Sequence, residues 1–458
     1  RGGKSLYGNV NISGMKNAAL PIIFASILVG ERCVVENLPP VSDVELSLEI
    51  LEKMGATVER LGNNAVAIDT KNFQNGTSPK ELVSKLRGST YLLGAELGRF
   101  GEACVGSSGG CDFGSRPIDQ HIKGFVALGA KYQNDDTYNI LKAEHGGLYG
   151  ASVYLDIASV GATINVMLAA ALANGKTTID NAAREPHIVD VANFLNMCGA
   201  RITGAGTSVI KIQGVPELHG CNYTILPDMI EAGTYMAAAA AAGGRVGIRG
   251  VIPKHVETVT AKLLEMNVDV EMYEDIITVS RYGPLGSANV KTYFYPGFPT
   301  DMQPQMTTVL TLAEGTSLVT ESVWSSRYRY VDELKRMGAN IQVDDKTAVD
   351  VPLISIVNPS TVNIKEVEMD FHVNVLDVDL KKKSAQAGFN TGEKAVEFDN
   401  RLKRSKLEVS FDGKNDHSSM HVKIKFEAAP IPEGLSRIVD EYDKTIATYE
   451  LRNGGNNE

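Results

Sequence analysis

In the stretch GSSGGCDFGSRPIDQHIKG, residues 106 to 124, Cys111 lies in a glycine-rich run with Arg116, Asp119 and His121 within ten residues of it. A thiol acts as nucleophile or acid only when its surroundings tune it. A neighbouring guanidinium and a loop of glycine N–H groups do so by stabilising a thiolate or a bound anion. Cys111 has both, from Arg116 and from Gly106, Gly109, Gly110 and Gly114. The competing reading is a small loop residue without chemistry. Cys33, Cys104, Cys198 and Cys221 fall in strand or helix patterns and read as packing residues. The five cysteines form no CxxC pair and no Cys/His cluster, so reduced thiols are expected, with neither a disulfide framework nor a metal site.

A second anion-handling segment is SGMKNAALP, residues 13 to 21, where Lys16 and Asn17 precede an apolar helix. A helix N-terminus with a lysine beside it suits phosphate, although such a lysine is more often simply solvated. KLRGST with Arg87, DIASVGATIN from 156, AAREPHIVD from 183, LPDMIEAGTY from 226 and FPTDMQPQ from 298 follow. Taken singly, Glu185, Asp228, Glu231 and Asp301 read as helix caps before they read as catalysts.

The elements that must position these residues form a repeat. Five helix-like runs end alike, in LEKMGATV, FVALGAKY, FLNMCGARI, LLEMNVDV and LKRMGANI, with Gly55, Gly129, Gly199, Asn267 and Gly338 at the equivalent place. Each reads as a helix closed by a residue that tolerates the left-handed conformation and leading directly into a strand. Between them, alanine-rich helices stop at glycine before an alternating strand, as in LAAALANGKTTIDNA and AAAAGGRVGIRGV. A unit of about seventy residues cannot bury both its helices alone, so several are expected to pack with helices inside and sheets outside.

After about residue 350 the pattern stops. LKRSKLEVS looks like a sixth junction but lacks the Gly-Ala and any preceding alanine-rich helix. Instead VPLISIVNPS opens a charged segment of long alternating strands (VEMDFHVNVLDVDL, KLEVSF, HVKIKF). It closes in an amphipathic helix with Pro432 in its first turn and Leu435, Ile438, Val439, Tyr442 and Ile446 on one face. At 458 residues the chain implies two or three domains, and a formal charge of -10 argues against nucleic acid held by broad electrostatics. The longest apolar stretch, YMAAAAAAGG, is too short and alanine-rich to span a bilayer, so a soluble protein is expected. The chain opens at Arg1 without Met, already in an alternating LYGNVNISG, which reads as a start downstream of the natural one.

In their order and spacing GGKSLYGNVNISGMKNAALPI, the cysteine loop, SVGAT, NAAREPHIVD, FPTDMQ and RMGA resemble the enolpyruvyl transferases from residue 1 to about 350. The cysteine loop selects the UDP-N-acetylglucosamine branch of peptidoglycan synthesis over the branch of aromatic amino-acid synthesis. The resemblance implies an α/β fold of two domains built from βαβαββ units, five of six recognisable here. One domain spans 15–226, with the cysteine loop 106–124. The other combines 1–14 with 227–350, and a β-rich module of 351–458 follows.

The resemblance further implies that Cys111 protonates the methylene of phosphoenolpyruvate and that Asp301 is the base near the attacking hydroxyl. Lys16 and Arg116 would neutralise the leaving phosphate, with Arg87 near phosphoenolpyruvate and the diphosphate, and Asn17 on the sugar. Pro117, Ile118, Asp119 and His121, with Ser159, Val160 and Gly161, would hold uridine and diphosphate, and Val323 and Arg327 would help hold the sugar nucleotide. No metal or cofactor is implied. The partners are the two small-molecule substrates, without nucleic acid or membrane, in a cytoplasmic enzyme of cell-wall biogenesis, cell shape and division that fosfomycin targets.

The departures are Met229, where the family commonly has arginine, Ile157, where many members have lysine, and the missing sixth unit with two phosphoenolpyruvate-binding arginines. They leave a sugar-nucleotide-binding protein without turnover, or an interaction protein, as alternatives. The tail resembles a family of uncharacterised bacterial proteins.

Overall fold

The structure is a computed structural model. It describes residues 3–106, 118–135, 137–144, 146–324 and 327–343, and in the tail the strands 366–374, 405–410 and 419–427. The chain divides into two compact units, Arg1–Lys346 and Thr347–Glu458.

The first unit repeats one sheet pattern. Arg32–Glu36 pairs antiparallel with Ala65–Asp69, which pairs with Thr57–Gly62, while the distant Asn222–Thr224 joins in parallel at the other edge. Lys176–Asp180, Val209–Gln213 and Arg201–Thr203 repeat this with Ser152–Tyr154 at the parallel edge. So do Gly244–Arg249, Ile276–Arg281 and Asp269–Tyr273 with Leu6–Asn11. A fourth sheet, of Glu102–Gly106, Tyr138–Ala143 and Ala130–Asn134, has among the described residues only the Thr77–Cys104 bridge in the parallel position.

All five equivalent helix-end positions adopt positive φ, from 63° at Asn267 to 99° at Gly199. The first four lead into strands. After Gly338 the described residues 339–343 are not in a strand. In the fifth unit the strand pairings, Leu285–Gly286 with Ala313–Glu314 and Val290–Lys291 with Val319–Thr320, are two residues long.

The helices lie inside, as their composition requires. In the helix Lys16–Val29 every residue from Ala18 to Val29 is buried, and in Val160–Ala170 every residue from Ala162 onward. A helix apolar all round has no solvent face to offer, so it packs at the centre of its unit. No helix among the described residues is long and apolar enough to cross a membrane.

In the second unit Glu366–Asn374, Ser419–Glu427 and Ser405–Ser410 form an antiparallel sheet in that order. The register sets Val367 opposite Phe426, Met369 opposite Ile424 and Phe371 opposite Val422. The two alternating patterns therefore run in phase, as a one-sided sheet needs. The end of LKRSKLEVS is a strand of this sheet. VPLISIVNPS and the terminal amphipathic helix lie outside the described residues.

Candidate active site

The chain passes between the sheet of Leu6–Asn11 and the other three large sheets at residues 12–16 and again at 225–229. There the two segments pair, with Met15 N–H donating to the Leu226 carbonyl and Asp228 N–H to that of Ser13. Gly14 is needed at this crossing, because a Cβ there would stand 1.7 Å from the Asn37 carbonyl oxygen. Asp228 caps the helix Met229–Ala242 by accepting from the Ile230 and Glu231 N–H groups, and its other oxygen accepts from Lys16 N–H at 3.2 Å. Glu231 in turn accepts from Ser13 N–H at 2.9 Å. Both carboxylates are thus structural.

The Lys16 ammonium, expected on phosphate, lies 2.6 Å from Asp43 in a half-exposed pair. Asn17 follows in the first turn, and Pro21 removes the N–H that would otherwise bond its carbonyl.

The segments carrying Ile118, Asp119 and His121 and carrying Ser159, Val160 and Gly161 are bound to each other. Gln120 donates to Asp119 at 2.8 Å and to Asp156 at 3.0 Å, and accepts from Asp156 N–H. Asn165 is the second link. Its Oδ1 accepts from Gly94 N–H, which turns its amide nitrogen toward His121 Nδ1 at 2.9 Å. Nδ1 is therefore an acceptor and Nε2 carries the proton. Burial holds His121 down at about 4, with Asp119 opposing and Arg87 adding to the effect, so the ring is neutral at pH 7. It can offer an anion a hydrogen bond but no charge.

Gly161 makes room for that ring, since a Cβ there would lie 2.9 Å from both Cε1 and Nε2. Gly161→Ala gains about 1 kcal/mol of helix propensity. Overpacking costs about 1–3 kcal/mol where the neighbour cannot yield, and Asn165 holds this one. The expected result is a lower melting temperature, restored when His121 is also replaced by Ala. Additive effects in that double-mutant cycle would mean that the two residues do not interact.

At the other end, Asp301 in the 3-10 turn Thr300–Met302 accepts from Arg327 Nη2 at 2.7 Å. The guanidinium is 10% exposed and the carboxylate 46%, so the carboxylate is the accessible partner. Glu321 pins the surrounding loops by accepting from Thr292, Thr300, and the Val323 and Trp324 N–H groups.

The AAREPHIVD segment runs between the two clusters. Glu185 precedes the helix Pro186–Met197 without capping it through its side chain. Burial raises its carboxyl, partly offset by N–H groups of its own segment and of Tyr295. It lies within electrostatic reach of Tyr91, as Arg87 does. His187, two residues on, is neutral, lowered by burial to about 4 against the pull of Asp301.

Cys111, Arg116 and Pro117 lie outside the described residues. A cavity of about 550 Å³, lined by Lys262, Glu265, Lys291 and Phe298 among others, contains none of the expected site residues. Sequence reasoning missed Gln120, Asn165, His187 and Glu321, because each acts through a partner far along the chain. Cys33 and Cys198, read as packing residues, are buried in the core, and with Cys221 they converge, which the sequence pattern did not show.

Repeated units with buried helices and outward sheets, joined by a chain that crosses twice, define the enolpyruvyl transferase class. NikO of Streptomyces tendae, a solved enolpyruvyl transferase, is 25% identical with a TM-score of 0.66, over 75% of this chain and 81% of its own. The EPSP synthase of Acinetobacter baumannii, 20% identical, shares the fold with a TM-score of 0.54 over the same shares. The chain belongs to the EPSP synthase (3-phosphoshikimate 1-carboxyvinyltransferase) family, whose profile matches residues 1–370.

UDP-N-acetylglucosamine 1-carboxyvinyltransferase 3 of Caldanaerobacter subterraneus subsp. tengcongensis is 52% identical over 349 residues, and UDP-N-acetylglucosamine 1-carboxyvinyltransferase of Clostridium botulinum is 53% identical over 349. Each alignment covers 76% of this chain and 83% of the relative. A protein family of unknown function (DUF2589) matches residues 312–445. The two matches overlap from 312 to 370.

Proposed function

We propose that the chain transfers the enolpyruvyl group of phosphoenolpyruvate to the 3'-hydroxyl of UDP-N-acetylglucosamine with release of phosphate, the first committed step of peptidoglycan synthesis. The observation that carries the reading is identity at about half of 349 aligned positions to transferases of that name. The mutual bonding of segments 118–121 and 156–161 and the Asp301–Arg327 pair support it.

Asp301 takes the proton of the 3'-hydroxyl as its oxygen bonds the enol carbon, and Cys111 protonates the methylene. Loss of a proton from the resulting methyl group then expels phosphate and restores the double bond. Lys16 and Arg116 stabilise the phosphate as its charge grows, which requires Lys16 to leave Asp43. Asn17 holds the sugar. Pro117, Ile118, Asp119 and His121, with Ser159, Val160 and Gly161, hold uridine and diphosphate, assisted by Arg87, Val323 and Arg327. The domains are 15–226 and 1–14 with 227–350, followed by the 351–458 module. The enzyme acts in the cytoplasm, in cell-wall biogenesis, cell shape and division.

The test is alkylation by fosfomycin, an epoxide that resembles phosphoenolpyruvate, combined with a phosphate-release assay. Cys111 is expected to react faster than Cys33, Cys104, Cys198 or Cys221, and faster still with UDP-N-acetylglucosamine present. Cys111→Ser removes the adduct and lowers phosphate release by about 10²- to 10⁴-fold. Adducts spread evenly over the cysteines, or sugar-nucleotide binding without any phosphate release, would overturn the reading.

A further inference from the structure

Three cysteines distant in sequence meet in the first unit. Cys33 lies in the strand Arg32–Glu36, and Cys198 ends the helix Pro186–Met197. Cys221 immediately precedes Asn222–Thr224, the strand that pairs in parallel with Arg32–Glu36. Two backbone bonds fix the approach, Val34 N–H to the Cys221 carbonyl at 2.8 Å and His219 N–H to that of Cys198 at 2.9 Å. The three Sγ atoms all lie within 4.8 Å of one another, and those of Cys198 and Cys221 are 3.3 Å apart. Cys33 and Cys198 are fully buried, whereas Cys221 is partly exposed and gives an entry path.

We propose that Cys33, Cys198 and Cys221 form a binding site for a soft, thiophilic d10 metal ion held by three sulfur ligands, with copper(I) as its best match. With metal–sulfur bonds of about 2.3 Å, a flat three-coordinate site places its sulfurs about 4 Å apart, so small side-chain adjustments complete it. Thiolate sets favour copper(I) and zinc, but zinc takes a fourth ligand. Among the described residues no His, Asp or Glu atom joins the three sulfurs. A disulfide between Cys198 and Cys221 would need closure from 3.3 Å to about 2.05 Å and would leave Cys33 without a role. Binding would tie together a strand, a helix end and the segment that enters the second crossing.

The experiment is an anaerobic titration of the full chain, with Cys104 and Cys111 replaced by Ser, against the copper(I) complex of bicinchoninate. The chain is expected to withdraw about one copper per molecule, as one site predicts, and X-ray absorption should show three sulfur neighbours at about 2.3 Å. Its melting temperature should rise with copper. Cys221→Ser, at the position most tolerant of change, should weaken binding at least about tenfold and abolish the rise in melting temperature. Copper left on the chelator by the folded parent chain would overturn the proposal without recourse to any variant. So would undiminished binding in Cys221→Ser, or a reduced chain that takes up no copper and only joins Cys198 to Cys221 in air.

Discussion

With Asp301 in the proposed role of base, replacing it by Asn is expected to lower kcat by about 10²- to 10⁴-fold, the usual scale for losing a positioned proton acceptor, while affinity for UDP-N-acetylglucosamine changes little. Asn keeps the oxygen that accepts from Arg327 Nη2, so the buried guanidinium retains its contact and the local fold holds. What is lost is the negative charge that accepts a proton. The neighbouring groups cannot replace it. The Arg327 guanidinium offers only donors, and His187 is 5% exposed, too buried to meet an incoming hydroxyl. Arg327→Lys serves as the contrast. It keeps the charge but loses the planar fork, so it should raise KM for the sugar nucleotide more than it lowers kcat. Steady-state phosphate release and calorimetry with the nucleotide separate the two effects. A kcat for Asp301→Asn within tenfold of the parent would show that another group takes the proton.

What was legible in the sequence is what local stereochemistry enforces. Positive φ admits few residue types, so Gly55, Gly129, Gly199, Asn267 and Gly338 announced their helix ends, and all five adopt it. Helices apolar all round, such as ALPIIFASILV, could only be central. Contacts between distant segments left no such mark. Lys16 reads as a phosphate-binding or solvated cation until Asp43 is seen beside it, and nothing local marks His121 as the neutral ring that burial and Asn165 make it. The three cysteines looked dispersed because their meeting depends on the parallel pairing of strands that start 190 residues apart (32 and 222).

Glu96 was equally silent, since AELGRF reads as an ordinary amphipathic turn, and it governs the largest expected pH effect on stability. It sits on the helix Tyr91–Phe100, which packs against Lys16–Val29 and Val160–Ala170, and it is 0% exposed. Neither carboxyl oxygen makes a well-formed hydrogen bond, and the Cys104 N–H offsets burial only in part. Burial therefore raises the group from 4.5 to about 8, and the folded chain keeps the proton at neutral pH. Between these two values the folded state binds more protons than the unfolded one, so stability falls as pH rises, by up to about 1.4 kcal/mol per unit. Below 4.5 both states are protonated and above 8 both are ionised, and there the contribution is flat. Glu96→Met substitutes an unbranched apolar side chain of similar length and good helix propensity. Its stability relative to the parent should therefore climb by several kcal/mol between about pH 5 and pH 8, whatever its packing costs at a single pH. Urea unfolding of both chains at several pH values measures the difference directly. A constant difference across that range would mean that Glu96 is ionised in the folded chain, and that a water or an ion reaches it.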